Sequence, residues 1–327
     1  MKETLLIIDG SSLLYRAFYA IPSLTDSQGR PTNAVYGFLN MLLKLYEQLE
    51  PHYVAVAFDK DKHTFRNDLY DGYKATRKPA PDDLRPQFPL IREVLECLGI
   101  HVLELEGYEG DDIIGTVARQ MEAKDFYIDI VTGDRDALQL VDENVTVHLT
   151  KKGITNMLAV TPDVMAAEYG YAPSQVVDMK ALMGDTADNI PGVPGVGEKT
   201  AAKLIAQFQH VETLYDRIGE VKGKKLQEKL ADNKDKAFLS KELATICCSV
   251  PVEYSLDMFL PQPRKEDVSA LFRSLGFKNM LSRFAAFDRF ASLADEEPAQ
   301  DVSLQLLDDL QPQDLAGQVV AVEGVYE

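Results

Sequence analysis

Cysteine is scarce in this chain of 327 residues: Cys97, Cys247 and Cys248 are the whole supply, and none has zinc-like spacing. That usage points to a reducing compartment. No stretch approaches the ~20 apolar residues of a membrane span. The apolar start, MKETLLIIDG, is too short for a signal peptide and is interrupted by Asp9. A soluble, cytoplasmic protein with no membrane partner is the expectation. Internal repeats are missing too. Positive charge is missing from 291–327, where nine acids stand without a single Lys or Arg. Nine further acids form the candidate site described below. Setting both groups aside leaves acids and bases equal, at 34 each, although the net charge is −18. The acidity is therefore a tail plus a site, and it does not exclude a polyanionic partner.

What is present is 46% hydrophobic residues, enough for a sizeable core and two ordinary domains. The first half alternates strand and helix signals. Buried strands read at Leu5–Asp9, Tyr53–Phe58, His101–Leu105, Tyr127–Thr132 and Val145–Leu149. Between them lie helical patterns at Leu13–Ala20, Ala34–Leu49, Phe88–Leu98 and from Gly110 onward. Such alternation predicts an α/β fold with a mostly parallel central sheet flanked by helices. From 161 to 290 the pattern is helical, with candidates at Pro162–Tyr169, Pro173–Met183, Glu198–Phe208, Val211–Ile218, Lys224–Ala231, Asp235–Thr245 and Glu266–Leu275. The expected organisation is an α/β domain over 1–160, a helical domain over 161–290 and an acidic linker over 291–313. The remainder, 314–327, is strand-like and reads as the start of a further domain.

Nine carboxylates sit where a pair of divalent ions would need them: Asp9, Asp59, Glu109, Asp111, Asp112, Asp134, Asp136, Asp185 and Asp188. LLIID and VAVAFD end at Asp9 and Asp59, and IDIVTGDRD ends at Asp136. Parallel strands deliver ligands to the carboxyl edge of a sheet in this way. Glu109, Asp111 and Asp112 fall at an expected helix start, where ordinary capping competes as an explanation. Asp185 and Asp188 are three apart, on one face of a regular turn. So many acids in one place repel one another unless cations neutralise them. Mg²⁺ takes oxygen ligands and keeps waters, and two such ions ~3.5–4 Å apart suit in-line phosphoryl displacement.

Between Lys60 and Arg92 the local balance is +3, with Phe65, Tyr70 and Tyr73 interleaved among the bases. Aromatics with bases suit a single strand of nucleic acid; a solvated charged loop is the bland alternative. The position after Asp59 makes this segment a natural lid. The third element is the run IPGVPGVGEKTAAKLI, from Ile190 to Ile205. Gly192, Gly195 and Gly197 permit close backbone approach, and the helix that follows aims free N–H groups at the loop. Lys199, Lys203, Lys222, Lys224 and Lys225 would add counterion release. A purely structural Gly/Pro turn is the alternative, and Walker spacing is absent.

Taken together, IIDGSSLLYRAFYA, FD(x)5FR, YKATR, GYEGDD, VTGDRDALQL and GDTADNIPGVPGVGEKTA resemble the 5′ nuclease (flap endonuclease) domain of bacterial DNA polymerase I, in order, from about residue 1 to 290. The resemblance implies a PIN/flap-nuclease-like fold with a helix–hairpin–helix at 190–207, and an arch at about 60–90 that passes a single-stranded 5′ end. It implies that the nine acids serve two Mg²⁺ ions, with Mn²⁺ able to substitute, and that Asp136, Asp185 and Asp188 lie toward the second ion. Asp112 and Asp134 are expected among the catalytic residues with Lys74 and Arg77, near the scissile phosphate. Arg16, Arg66 and Arg77 would grip the substrate, with Tyr73 a stacking partner. Gly192, Gly195, Gly197, Lys199, Thr200 and Lys203 would hold the duplex, with a monovalent cation on the loop carbonyls. Expected partners are DNA with a 5′ flap or nick and RNA primer–DNA. The expected chain is monomeric and cytoplasmic, at the bacterial nucleoid, and covalently followed by polymerase domains. A stand-alone 5′ nuclease, a PIN-like ribonuclease and a non-catalytic flap-binding module are the rivals.

Overall fold

The computed structural model describes residues 2–151, 153 and 156–294. β1 (Thr4–Asp9), β2 (Tyr53–Ala57), β3 (His101–Leu103), β4 (Tyr127–Thr132), β5 (Val145–Thr150) and β6 (Met157–Val160) make one sheet, in the order β3-β2-β1-β4-β5-β6. Every pairing is parallel except β5 with β6. Helices α1 (Gly10–Ala20), α2 (Asn33–Leu49), α3 (Phe65–Leu69), α4 (Gln87–Cys97) and α5 (Gly110–Glu122) lie between the parallel strands. The strands are apolar throughout because both faces are covered. In β1, Leu6 and Ile8 enter a core shared with α1, α2 and α4, while Leu5 and Ile7 enter the opposite core against α5. The strand order reverses between β1 and β4, which puts the ligand crevice of an open α/β sheet outside their carboxyl ends.

The antiparallel edge strand β6 was not expected from sequence. Beyond it come α6 (Pro162–Val164), α7 (Val176–Met183), α8 (Glu198–Phe208), α9 (Val211–Asp216), α10 (Lys224–Asp232) and α11 (Lys234–Ala244). Of these, α7 to α11 build a third core around Leu182, Val193, Val196, Ile205, Phe208 and Leu230, while Val164 of α6 packs on the core beneath α5. The last two helices, α12 (Lys265–Ser274) and α13 (Met280–Ala285), depart from the expected division at 161–290. Their Phe272 and Phe284 join Phe290, Phe38 and Tyr46 in the core on the sheet. Amphipathic helices bury their apolar stripe on whichever core is open, and here that is the α2–α4 face rather than the helical region. Phe290 and Leu293 are buried in a short 3-10 turn, so the first positions of the expected linker belong to the core. The rest of that linker and 314–327 lie outside the described residues. Among the described residues no helix is long and apolar enough to cross a membrane.

Candidate active site

Asp9 ends β1 and caps α1, its Oδ1 accepting the Ser12 N–H at 2.9 Å. Its other oxygen accepts the hydroxyl of Thr132, the last residue of β4, at 2.7 Å. Thr132 also accepts the Asp134 N–H at 3.0 Å, and Asp134 in turn caps the 3-10 turn Arg135–Leu140 by accepting the Asp136 N–H at 2.9 Å. Asp59, just past β2, accepts the Gly110 N–H at 2.9 Å and so faces the start of α5, where Asp111 stands. Three strand ends and a helix start therefore aim acids at one crevice. Burial is the main force raising Asp9 to about 7, and repulsion from Asp59 and Asp134 adds to it. Burial, then Asp9, Asp134 and Asp59, push Asp111 well above the usual carboxylate range.

A second group lies beside the first. Asp185 follows α7 in a tight turn and accepts the Ala187 N–H at 2.7 Å. The Lys180 ammonium of α7 bridges Asp136 and Asp185. Burial and the nearby Asp134 raise Asp136 to about 7, against the pull of Lys180. At Asp185 burial acts upward as well, but Lys180 and two backbone N–H groups prevail and hold the carboxyl below its ordinary range. The basic segment folds over both groups. Lys74 Nζ lies 2.7 Å from Glu109, and Arg77 pairs with Asp188. The Lys74 N–H donates to the Asp188 carbonyl at 2.9 Å, and Asn189 donates to the Gly72 carbonyl at 2.7 Å.

The donor chemistry fits hard divalent ions. Among the described residues no three acids, histidines or cysteines stand close enough to hold an ion as they are. Yet half-buried Asp9 and Asp111 and buried Asp136 are all pushed upward, by burial first and by neighbouring carboxylates after it. Asp136 Oδ1 is buried without a normal hydrogen bond and meets only the ammonium.

Four expectations need correction. Asp112 is fully buried and its oxygens are already engaged. They accept two 2.7 Å bonds from Arg66 and the N–H groups of Cys247 at 2.8 Å and Glu109 at 3.1 Å. It anchors Arg66 instead of facing the crevice as a ligand or catalytic acid. Arg66 is 2% exposed and also donates to the Leu243 and Thr245 carbonyls at 2.9 and 2.7 Å, so it does not grip substrate. Tyr73 is 4% exposed, with its hydroxyl 3.1 Å from Glu109 and 3.4 Å from Asp188, and offers no face for stacking. Gly192 is buried, donates its N–H to Ser240 at 2.9 Å, and abuts the Gly184 backbone, so its lack of a side chain serves packing.

Gly195, Gly197, Lys199 and Lys203 are exposed at the head of α8, and Thr200 is half-buried. The loop is stitched to the acidic turn by paired backbone bonds between Asp185 and Ile190, at 2.9 and 2.8 Å. Half-buried Arg16 donates to the Thr150 carbonyl at 2.6 Å, at the end of β5. Sequence reasoning missed Lys180 and Thr132. A lone lysine inside the apolar run VVDMKALM, five residues before Asp185, was the available signal for the first.

Known proteins resemble this chain in sequence and in fold. The family model described as "5'-3' exonuclease, N-terminal resolvase-like domain" matches residues 4–170. The model described as "5'-3' exonuclease, C-terminal SAM fold" matches 171–267. DNA polymerase I of Bacillus caldotenax is 46% identical over 328 residues, covering 100% of this chain and 37% of that protein. DNA polymerase I of Bacillus subtilis is 45% identical over 310 residues, covering 94% and 35%. The chain thus spans about a third of the length of these curated relatives. Among solved structures, the zinc-bound T5 5′-exonuclease aligns with a TM-score of 0.63 at 19% identity, covering 89% of this chain and 97% of that one. The catalytic core of Rad2 in complex with DNA substrate aligns at 0.58 and 16% identity, covering 88% and 92%. Both share the fold. By its family matches the chain belongs to the 5′–3′ exonuclease family, over a stretch that is similar to part of DNA polymerase I.

Proposed function

We propose that the chain hydrolyses phosphodiester bonds of 5′ flaps and 5′ ends of DNA, and of RNA primers, with two Mg²⁺ ions that Mn²⁺ can replace. The observation that carries this reading is the convergence of Asp9, Asp59, Asp111 and Asp134 on one crevice, with Lys74 and Arg77 folded over it. Asp9, Asp59, Glu109, Asp111 and Asp134 would hold one ion, with Asp136, Asp185 and Asp188 toward the other. Ions bound there supply water activation and charge neutralisation for an in-line displacement. The zinc in the T5 enzyme and the DNA on the Rad2 core support metal dependence and a nucleic-acid substrate.

The protein's own groups divide the remaining work. Lys74 and Arg77 are parked on Glu109 and Asp188. An arriving phosphate competes for those cations and draws them toward the charge that builds on its oxygens, the electrostatic role of highest value in such chemistry. Arg77 is half-exposed where it pairs with Asp188, so an arriving phosphate can reach it. The N-terminus of α8, with Gly195, Gly197, Lys199 and Lys203, suits the duplex backbone, which it positions without reading sequence. The Asp185–Ile190 pairing then makes the duplex seat and the acidic turn one rigid piece.

In this reading the domain serves a polymerase I, clearing primers and flaps at the bacterial nucleoid as a monomeric unit, with a monovalent cation on the loop carbonyls. An end-labelled 5′-flap duplex in Mg²⁺ tests it. One cut near the junction, leaving a ligatable 5′-phosphate end, supports the reading. Binding without turnover returns it to a flap-binding module.

A further inference from the structure

Lys180 stands out among the buried charges because the reaction as derived above does not use it. Its side chain is 11% exposed, on a helix otherwise packed against α8 and α11. The ammonium reaches both Asp136 and Asp185, whose side chains are 12% and 19% exposed. Two carboxylates that touch the same nitrogen are close enough for one small cation to bridge them. Without that cation they repel in a poorly solvated place. The other pairings differ in kind. Lys74 and Arg77 come from the basic segment that follows α3, whereas Lys180 belongs to α7, the helix that leads into Asp185. Asp136 Oδ1 has no normal hydrogen bond, so it remains a ready ligand once the ammonium moves.

We propose that Lys180 is a built-in placeholder for the second divalent ion. It keeps Asp136 and Asp185 together in the metal-free protein and sets the affinity of that site by having to be displaced. The inference rests on the two-ion reading above. It makes Lys180 a positioning residue, acting through two carboxylates rather than on the substrate. Its consequence is a threshold: at limiting metal the first site fills and the second stays occupied by the lysine, so turnover rises steeply only when metal is ample.

Mn²⁺ binding, followed by electron paramagnetic resonance on the whole chain without DNA, tests this beside the melting temperature in EDTA. K180M keeps the length and packing of the side chain but removes the charge. The expected result is a lower metal-free melting temperature, together with a weaker Mn²⁺ site that tightens on the order of tenfold, the scale of one charged hydrogen bond. K180R, which keeps the cation, is expected to bind Mn²⁺ like the parent, and K180Q to behave like K180M should the methionine variant not fold. Two parent sites with isotherms unchanged in K180M, or a weaker site that loosens, would overturn the placeholder role while leaving the two-ion reading standing. A parent that binds no Mn²⁺ would overturn both.

Discussion

Arg66 and Asp112 meet end to end, two guanidinium nitrogens each 2.7 Å from a carboxylate oxygen, in a spot where both side chains are almost completely buried. The pair ties α3, at the root of the basic segment, to the start of α5 and to the last carbonyls of α11. Three distant pieces of chain depend on it.

Breaking that pair leaves one buried charge alone, which costs about 3–5 kcal/mol. R66M and D112N are each expected to lower the denaturation midpoint in EDTA and in Mg²⁺ alike. Chemical denaturation measures it. A D112N protein with parental stability and no metal binding would instead make Asp112 a ligand.

In the proposed mechanism Lys74 and Arg77, which pair with Glu109 and Asp188, act on the reacting phosphate rather than on the fold. K74A and R77A are each expected to slow flap cleavage by ~10²–10³, the cost of losing one transition-state charge donor. Single-turnover rates, set against flap affinity in Ca²⁺, separate chemistry from binding. Equal losses in both would reduce these residues to substrate grip.

The crevice acids predict an inverse dependence of stability on pH without metal. Asp9 and Asp136 rise from the ordinary carboxylate range to about 7 on folding. The folded state therefore holds more protons than the unfolded chain between those limits, and stability falls as pH rises through that window. The melting temperature in EDTA should drop from pH 5 to pH 8. Mg²⁺ should flatten or reverse the trend, because it replaces those protons. A metal-free protein that gains stability over the same range would contradict the arrangement.

Two glycines of one loop should answer differently to alanine. At Gly192 the backbone has φ of +59° and an added Cβ would sit 2.3 Å from the Gly184 nitrogen. Strain of that kind costs ~1–3 kcal/mol or more. At Gly197 nothing lies within 4 Å of an added Cβ. G192A should melt early, whereas G197A should fold normally and weaken duplex binding alone. Thermal melts and fluorescence anisotropy distinguish the two.

Much of the scaffold was legible because parallel strands buried on both faces write themselves as apolar runs, and LLIID, VAVAFD and YIDIVTGD each end where the chemistry begins. Glu198–Phe208 and Tyr127–Thr132 coincide with the observed elements for the same reason of strong periodicity. Arg66 and Tyr73 were misread because local composition resembles an exposed nucleic-acid segment, while their partners Asp112 and Glu109 lie 46 and 36 positions away. Long-range pairing has no local signature. The four-residue edge strand β6 is too short to show an alternation, and the docking of α12 and α13 on the sheet depends on which core has room.

The central claim is that the carboxylate crevice cuts DNA with divalent metal. The most direct test is the rate of 5′-flap cleavage by the parent and by D134N, with saturating Mg²⁺ and with EDTA. The parent should cut near the junction in Mg²⁺ and not in EDTA, and a folded D134N protein should lose nearly all cleavage. Cleavage by D134N at the parental rate, or by the parent in EDTA, would contradict it.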